Sequence, residues 1–203
     1  MLIDSEQVWD DVREQLAHER GGRWHPGAQR AMMGMSSPEW SRYMHDEVGL
    51  PESPEEINRE VVSQMLVRYA DGPPWLPGAL DAVRRIAAAW PLAIASSSNR
   101  ELIDVVVESG GIAELFRATV SSEEVPRGKP APDVYLEAAR RLGVDPVLCA
   151  AIEDSHNGIR SAKAAGMRCV AIPNSHFPPG DAVAEADAVV GSVAELTAAV
   201  ISG

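Results

Sequence analysis

The sequence predicts an α/β fold with a parallel sheet and an all-helical insert near its beginning. Three observations predict it. From residue 92 onward, short apolar runs alternate with stretches of helical periodicity, the pattern of successive βαβ units and of a Rossmann-like sheet with helices on both faces. Residues 6–72 carry helical periodicity alone. Between them, Asp71-Gly72-Pro73-Pro74 breaks the rhythm and reads as a boundary. The expected organisation is a core of residues 1–5 and 73–203, with residues 6–72 as a helical unit laid over it.

Each element follows from local chemistry. Asp4 or Ser5 can cap a helix that carries Val8, Trp9, Val12 and Leu16 on one side and ends at Gly21-Gly22. A short helix is expected from Pro26 to Met33. Ser37-Pro38-Glu39 starts another, with Trp40, Met44 and Val48 at four-residue steps. Ser53-Pro54-Glu55-Glu56 is a capping-box pattern before the stripe Ile57, Val61, Met65 and Tyr69. After the boundary, a helix over 78–89 precedes a strand over 92–95, and a helix over 100–109 ends at Gly110-Gly111. A short strand over 118–120 leads to a loop containing Lys129. Pro132 starts a helix that buries Val134, Tyr135, Ala138 and Leu142 and stops at Gly143. Strands over 148–152 and 168–172 flank a helix stopped by Gly166. The last strand is expected over 187–190, and Ser192-Val193-Ala194-Glu195 caps the final helix.

Composition limits the partners. The chain has 203 residues, 45% of them hydrophobic, enough for one core with an insert. A net charge of −12 argues against nucleic acid and anionic membrane surfaces. No apolar run approaches the roughly 20 residues of a membrane span. The start carries acids instead of a basic segment and an apolar run, so no signal peptide is read there. Cys149 and Cys169 both fall in expected core strands and read as small buried hydrophobes. A cytoplasmic monomer or homodimer is expected. Because the chain is so acidic, any phosphate site needs local positive charge or a bound metal.

Three short segments supply the candidate chemistry. Glu153 and Asp154 follow the strand over 148–152, at the end where open α/β sheets place their ligands. Two adjacent carboxylates there either cap the next helix or hold a hard cation such as Mg²⁺. Upstream, Ser96-Ser97-Ser98-Asn99 follows another apolar strand, and Arg127-Gly128-Lys129-Pro130-Ala131-Pro132-Asp133 precedes a helix. A hydroxyl cluster, a lysine and a carboxylate pair at strand and helix edges can together hold a phosphate and a metal. His18, His25, His45 and His176 have no metal-ligand spacing.

The segments SSSN, GKPAPD and EDSHNGIRSAKAAGM resemble motifs two, three and four of the haloacid dehalogenase superfamily. The likeness is to its helical-cap branch of phosphatases and β-phosphoglucomutase-like enzymes. It implies a Mg²⁺-dependent phosphatase of small phosphate esters, sugar phosphates above all, working through an aspartyl phosphate. It assigns Ser96 to hydrogen-bonding the transferring phosphoryl group and Lys129 to pairing with that group and the nucleophile. It makes Asp154 a Mg²⁺ ligand with Glu153 beside it. Ser97, Ser98 and Asn99 add donors at a helix start, and Arg30 lies where cap residues often contact substrate. Phosphoryl transfer within one sugar, as in a β-phosphoglucomutase, uses the same motifs.

The resemblance departs at the start. This branch opens with a strand and Asp-x-Asp-Gly-Val-Leu-Ile-Asp-Ser-Glu or near variants, whereas here the chain reads Met1-Leu2-Ile3-Asp4-Ser5-Glu6. Both catalytic aspartates and the first strand are therefore expected upstream of Met1, with a start misassigned at an internal Val codon. Asp4 matches a later position and does not replace them. The missing strand is central in the family sheet, between the strands over 92–95 and 148–152. The alternative is a truncated or inactive relative that only binds a ligand or a partner.

Overall fold

The computed structural model describes residues 1–203. Residues 6–70 form helices only: α1 (Glu6–Glu19), α2 (Ala28–Met32), α3 (Ser37–Tyr43) and α4 (Pro54–Ala70), with a π-turn over Met44–Val48 extending α3. Ser53 starts α4 as expected. Its hydroxyl accepts from the Glu56 N–H at 3.3 Å, and the Glu56 carboxylate accepts from the Ser53 N–H at 3.0 Å. α3 begins at Ser37 with Pro38 in its first turn, as expected, and Ser36 just before it forms the reciprocal box with Glu39. Trp9, Val12 and Leu16 of α1 pack with Trp40, Met44, Ile57, Val61 and Met65 in one apolar cluster. Burying each of these large side chains contributes roughly 1.5–3 kcal/mol.

Beyond the boundary come α5 (Ala79–Ala87), β1 (Leu92–Ser96), α6 (Arg100–Ser109), β2 (Phe116–Ser121), α7 (Asp133–Leu142), β3 (Ala150–Glu153), α8 (His156–Ala164), β4 (Arg168–Ala171), β5 (Ala188–Val189) and α9 (Ala198–Ser202). All strand pairs are parallel. Ser96 is level with Ser121 across β1 and β2, and Glu153 with Ala171 across β3 and β4. The end of the chain differs from expectation. Ser192 to Glu195 make only a 3₁₀ turn, and Thr197 caps α9 instead, accepting from the Val200 N–H. Cys169 is fully buried in β4, but Cys149 precedes β3 and is partly exposed. Its strand begins two residues later than the apolar run suggests, after a 3₁₀ turn over Pro146–Leu148.

Two features of this fold position the site. Leu102 and Val106 of α6 join the helical cluster, so the helical layer is seated on the α/β layer. The two chain crossings between the layers run side by side: Ile3 bridges Trp75, and the Asp4 N–H donates to the Pro74 carbonyl at 2.8 Å. The sheet itself is in two parts, β1–β2 and β3–β4–β5. The residues of β1 and of β3 line one cavity of about 790 Å³, continuous with the space under the helical layer, and no strand lies between them.

Candidate active site

The carboxyl ends of β1 and β3 open on this cavity, and the loop before α7 reaches it from the side. Ser96, Ser97, Ser98, Lys129, Glu153 and Asp154 all line it. Thus six of the eight residues singled out in the sequence meet in space, from three segments far apart in the chain. Asn99 and Arg30 do not line it. Asn99 is buried and committed elsewhere: its carbonyl accepts from Ser37 at 2.9 Å, and its amide donates to Asn58 at 3.1 Å and Glu123 at 2.7 Å. It ties the α/β layer to the helical layer. Arg30 is exposed on α2, beside Gly180. Neither position was legible, because periodicity says which face a residue takes and not what the opposite layer offers it.

Lys129 is 7% exposed, and Glu153 is 4% exposed. The Lys129 ammonium donates to Glu153 Oε1 and to the Ala95 carbonyl, the latter at 3.2 Å. The Tyr135 hydroxyl donates to the same carboxylate oxygen at 2.7 Å. On the other oxygen, Glu153 accepts from the Asp154 N–H at 3.0 Å and from the Ser155 hydroxyl at 3.2 Å. Burial alone would raise the Glu153 pKa, but the Lys129 charge and hydrogen bond, with Tyr135, bring it down to about 2. Both oxygens of Glu153 are therefore occupied by protein donors. The sequence offers Glu153 as a companion metal ligand; its side chain is instead the anchor of Lys129.

Asp154 differs from its neighbour. No side chain donates to its carboxylate, which is only partly buried and lines the cavity. Burial raises its pKa, the Met1 amino group lowers it and the Glu153 charge raises it again; the net direction is up. A carboxylate that lines a cavity without a side-chain donor suits a hard divalent cation. It is one ligand only; residues 1–203 hold no cluster of three ligating side chains.

The serine side of the cavity is built at the turn after β1. The Ser98 N–H donates to the Ser96 hydroxyl at 3.1 Å, and the Ser97 hydroxyl donates to the Gly34 carbonyl at 2.9 Å. Asn157 at the start of α8 donates to the Met33 carbonyl at 3.1 Å, so the loop Met33–Gly34 is pinned from both halves of the sheet. Ser155 caps α8 by accepting from the Gly158 N–H at 3.0 Å. Gly158 has no room for a side chain, since a Cβ there would overlap the Glu153 carboxyl. Tyr135 and Gly158 carried no functional signal in the sequence. Tyr135 read as part of an apolar stripe and Gly158 as one residue of a helix.

Chains of known kind resemble this one in sequence and fold. The model of haloacid dehalogenase-like hydrolases matches residues 2–166. Hexitol phosphatase B of Escherichia coli (strain K12) is 33% identical over 98% of this chain and 90% of its own length. The crystal structure of CbbY from Rhodobacter sphaeroides in complex with phosphate superposes with a TM-score of 0.86 at 26% identity, covering 99% of this chain and 94% of that one. A β-phosphoglucomutase from Clostridium difficile superposes at 0.83 with 21% identity over 98% and 90% of the two chains, a likeness of fold. The converging serines, lysine and carboxylates thus sit in a chain that belongs to the family of haloacid dehalogenase-like hydrolases.

Proposed function

We propose that the protein is a Mg²⁺-dependent phosphatase of small phosphorylated metabolites, with sugar or polyol phosphates as its substrates. The observation that carries this is the convergence of Ser96, Lys129 and Asp154 on one cavity from three separate segments. It is supported by the hexitol phosphatase and the phosphate-bound CbbY among its relatives.

Each residue has a role set by its surroundings. The Ser96 hydroxyl and the Ser97 and Ser98 turn hold the phosphoryl oxygens. The buried Lys129 ammonium neutralises charge that grows on those oxygens in the transition state, where low dielectric makes it worth most. Glu153 and Tyr135 hold that ammonium in place and shield it from water. Asp154 would hold Mg²⁺, which when bound supplies positive charge to the phosphoryl group. The helical layer, pinned at Met33–Gly34, excludes water from the cavity.

A second reading is a binder without turnover. Both oxygens of Glu153, the carboxylate bonded to Lys129, are occupied by protein donors, so that carboxylate is not free to attack. Steady-state release of phosphate from a hexitol phosphate and from an aryl phosphate, with and without Mg²⁺, separates the two. Under the phosphatase reading turnover needs Mg²⁺, and Asp154→Asn and Lys129→Met each lower kcat by 10²-fold or more. Turnover that survives Asp154→Asn sinks the mechanism; binding of phosphate without turnover by the protein from its native source supports the binder.

A further inference from the structure

The serine turn after β1 is braced from behind by two buried hydroxyls that do not touch the cavity. Parallel pairing of β1 with β2 ends at Ser96 and Ser121. Beyond that point the chains diverge, into α6 on one side and into a 3₁₀ turn over Ser122–Glu124 on the other. Side chains then continue the ladder. The Ser121 hydroxyl donates to the Ser98 carbonyl at 2.7 Å, and the Ser122 hydroxyl donates to the Ser97 carbonyl at 3.1 Å. The Glu123 N–H donates to the Ser121 oxygen at 3.2 Å, which leaves the single hydrogen of that hydroxyl to Ser98. Ser121 and Ser122 are 0% and 3% exposed, and neither lines the cavity. A trans peptide group points its carbonyl and its N–H in opposite directions. Drawing the Ser97 carbonyl toward Ser122 therefore turns the Ser98 N–H away from β2, and it meets the Ser96 hydroxyl at 3.1 Å. The Ser96 oxygen thus accepts from within the turn, while its residue faces the cavity.

We propose that Ser122, supported by Ser121, is a positioning residue for phosphoryl binding: it sets the peptide between Ser97 and Ser98 so that the Ser96 hydroxyl presents its hydrogen to a phosphoryl oxygen. The proposal rests on the phosphatase reading and deepens it on the serine side of the same site. Ser122 acts at a distance, through the 97–98 peptide and the Ser98 N–H, on Ser96. Ser121 holds the next peptide, so the turn is fixed at two consecutive carbonyls and cannot pivot about either one. With its lone pair engaged by the Ser98 N–H, the Ser96 hydroxyl is left as a donor. A donor fixed before the substrate arrives needs no reorganisation when charge grows on the phosphoryl oxygens. A methyl group in place of the Ser122 hydroxyl would leave the Ser97 carbonyl without that partner and free the peptide to rotate.

The test is a double-mutant cycle between Ser122 and Ser96 in the full-length protein with Mg²⁺. It is read as kcat/KM for an aryl phosphate and, by calorimetry, as affinity for inorganic phosphate. Ser122→Ala lowers both about tenfold. In the Ser96→Ala background the same substitution has no further effect, because Ser96 is the group through which Ser122 acts. Effects that multiply in full overturn the proposal, since they show two independent contributions. A melting temperature that falls while kcat/KM and phosphate affinity stay at the parent's values also overturns it and leaves Ser122 a structural brace. Ser122→Cys keeps the volume and replaces a strong donor with a weak one, so it follows Ser122→Ala; a Cys variant equal to the parent makes the role one of packing and sinks the proposal. Circular dichroism identifies a variant that fails to fold, and Ser122→Cys then replaces Ser122→Ala in the cycle. If the protein turns no ester over, the phosphatase reading fails by itself, and the phosphate affinities of the same four proteins decide the brace. A parent that binds no phosphate overturns both.

Discussion

The Lys129 ammonium rests on the Glu153 carboxylate, and both are buried at the place where β1 and β3 face one another. Lys129 also donates to the Ala95 carbonyl at 3.2 Å, so this one side chain spans the two halves of the sheet. A buried ion pair adds little net stability compared with apolar residues, because desolvation offsets the Coulomb gain. Removing one partner is different, since the other charge is left in a medium that cannot solvate it.

Lys129→Met is therefore expected to destabilise the fold by about 3–5 kcal/mol. The double variant Lys129→Met/Glu153→Gln should regain a large part of that loss, because no bare charge remains. Urea unfolding of the four proteins of this cycle checks it. A single variant as stable as the parent would mean that Glu153 is solvated and the pair is not buried in solution.

Acid should weaken the protein in a defined window. The Glu153 carboxyl has a pKa of about 2 in the fold, below its ordinary 4.5: burial opposes the shift, and Lys129 and Tyr135 overcome it. Glu124 is also at about 2; burial raises it, and hydrogen bonds from the Ser121 backbone, Arg141 and Arg100 outweigh that. For such groups the unfolded chain binds protons first. Their stabilisation is complete above about pH 4.5 and is lost as pH falls toward 2, on the order of 3 kcal/mol for Glu153. Urea midpoints measured across that window should fall, and Glu153→Gln should flatten the slope.

Glu6 carries the opposite sign. Burial, and then the charge of Asp154, push its pKa up from 4.5 to about 7, against the pull of Arg13 and the amino terminus. The folded chain binds this proton more tightly than the unfolded one. Its favourable contribution is complete below about pH 4.5 and is lost as pH rises to 7, on the order of 3 kcal/mol at most. Glu6→Gln should accordingly remove part of the decline in stability between pH 4.5 and 7. Thermal unfolding at pH 5 and pH 8 tests this, and equal shifts at both values would contradict it.

Gly158→Ala should be as damaging as the loss of a core side chain, by more than 2 kcal/mol. The added methyl would overlap the Glu153 carboxyl, and the backbone of α8 would have to move away from its Ser155 cap. Ala substitution at Gly49, which has open space around it and a φ of +83°, meets only backbone strain and serves as the comparison. Melting temperatures of the two variants rank the effects.

Much of this protein was legible in its sequence, for local reasons. The stripe Ile57, Val61, Met65 and Tyr69 behind a capping box specifies α4, because periodicity and end chemistry act within one helix. The apolar runs flanking EDSHNG specify a strand, a capped helix and a second strand in the same way. The motif serines, Lys129 and Asp154 could be placed on one site because strand ends in a parallel sheet all open on the same edge.

What each polar group does there depended on contacts across long stretches of chain. Glu153 and Asp154 are chemically alike and adjacent, yet one holds Lys129 while the other keeps a carboxylate free of side-chain donors. The difference comes from Tyr135 and Lys129, brought against one side of the pair by the packing of α7 on β1 and β2. Asn99 was similarly redirected by Ser37 and Asn58 of the helical layer. Sequence alone thus determined the elements and the edge of the sheet where chemistry can occur, since those follow from short-range periodicity and capping. Only the tertiary structure decided which carboxylate is bound and which is free, because desolvation and hydrogen bonding depend on the neighbours that folding supplies.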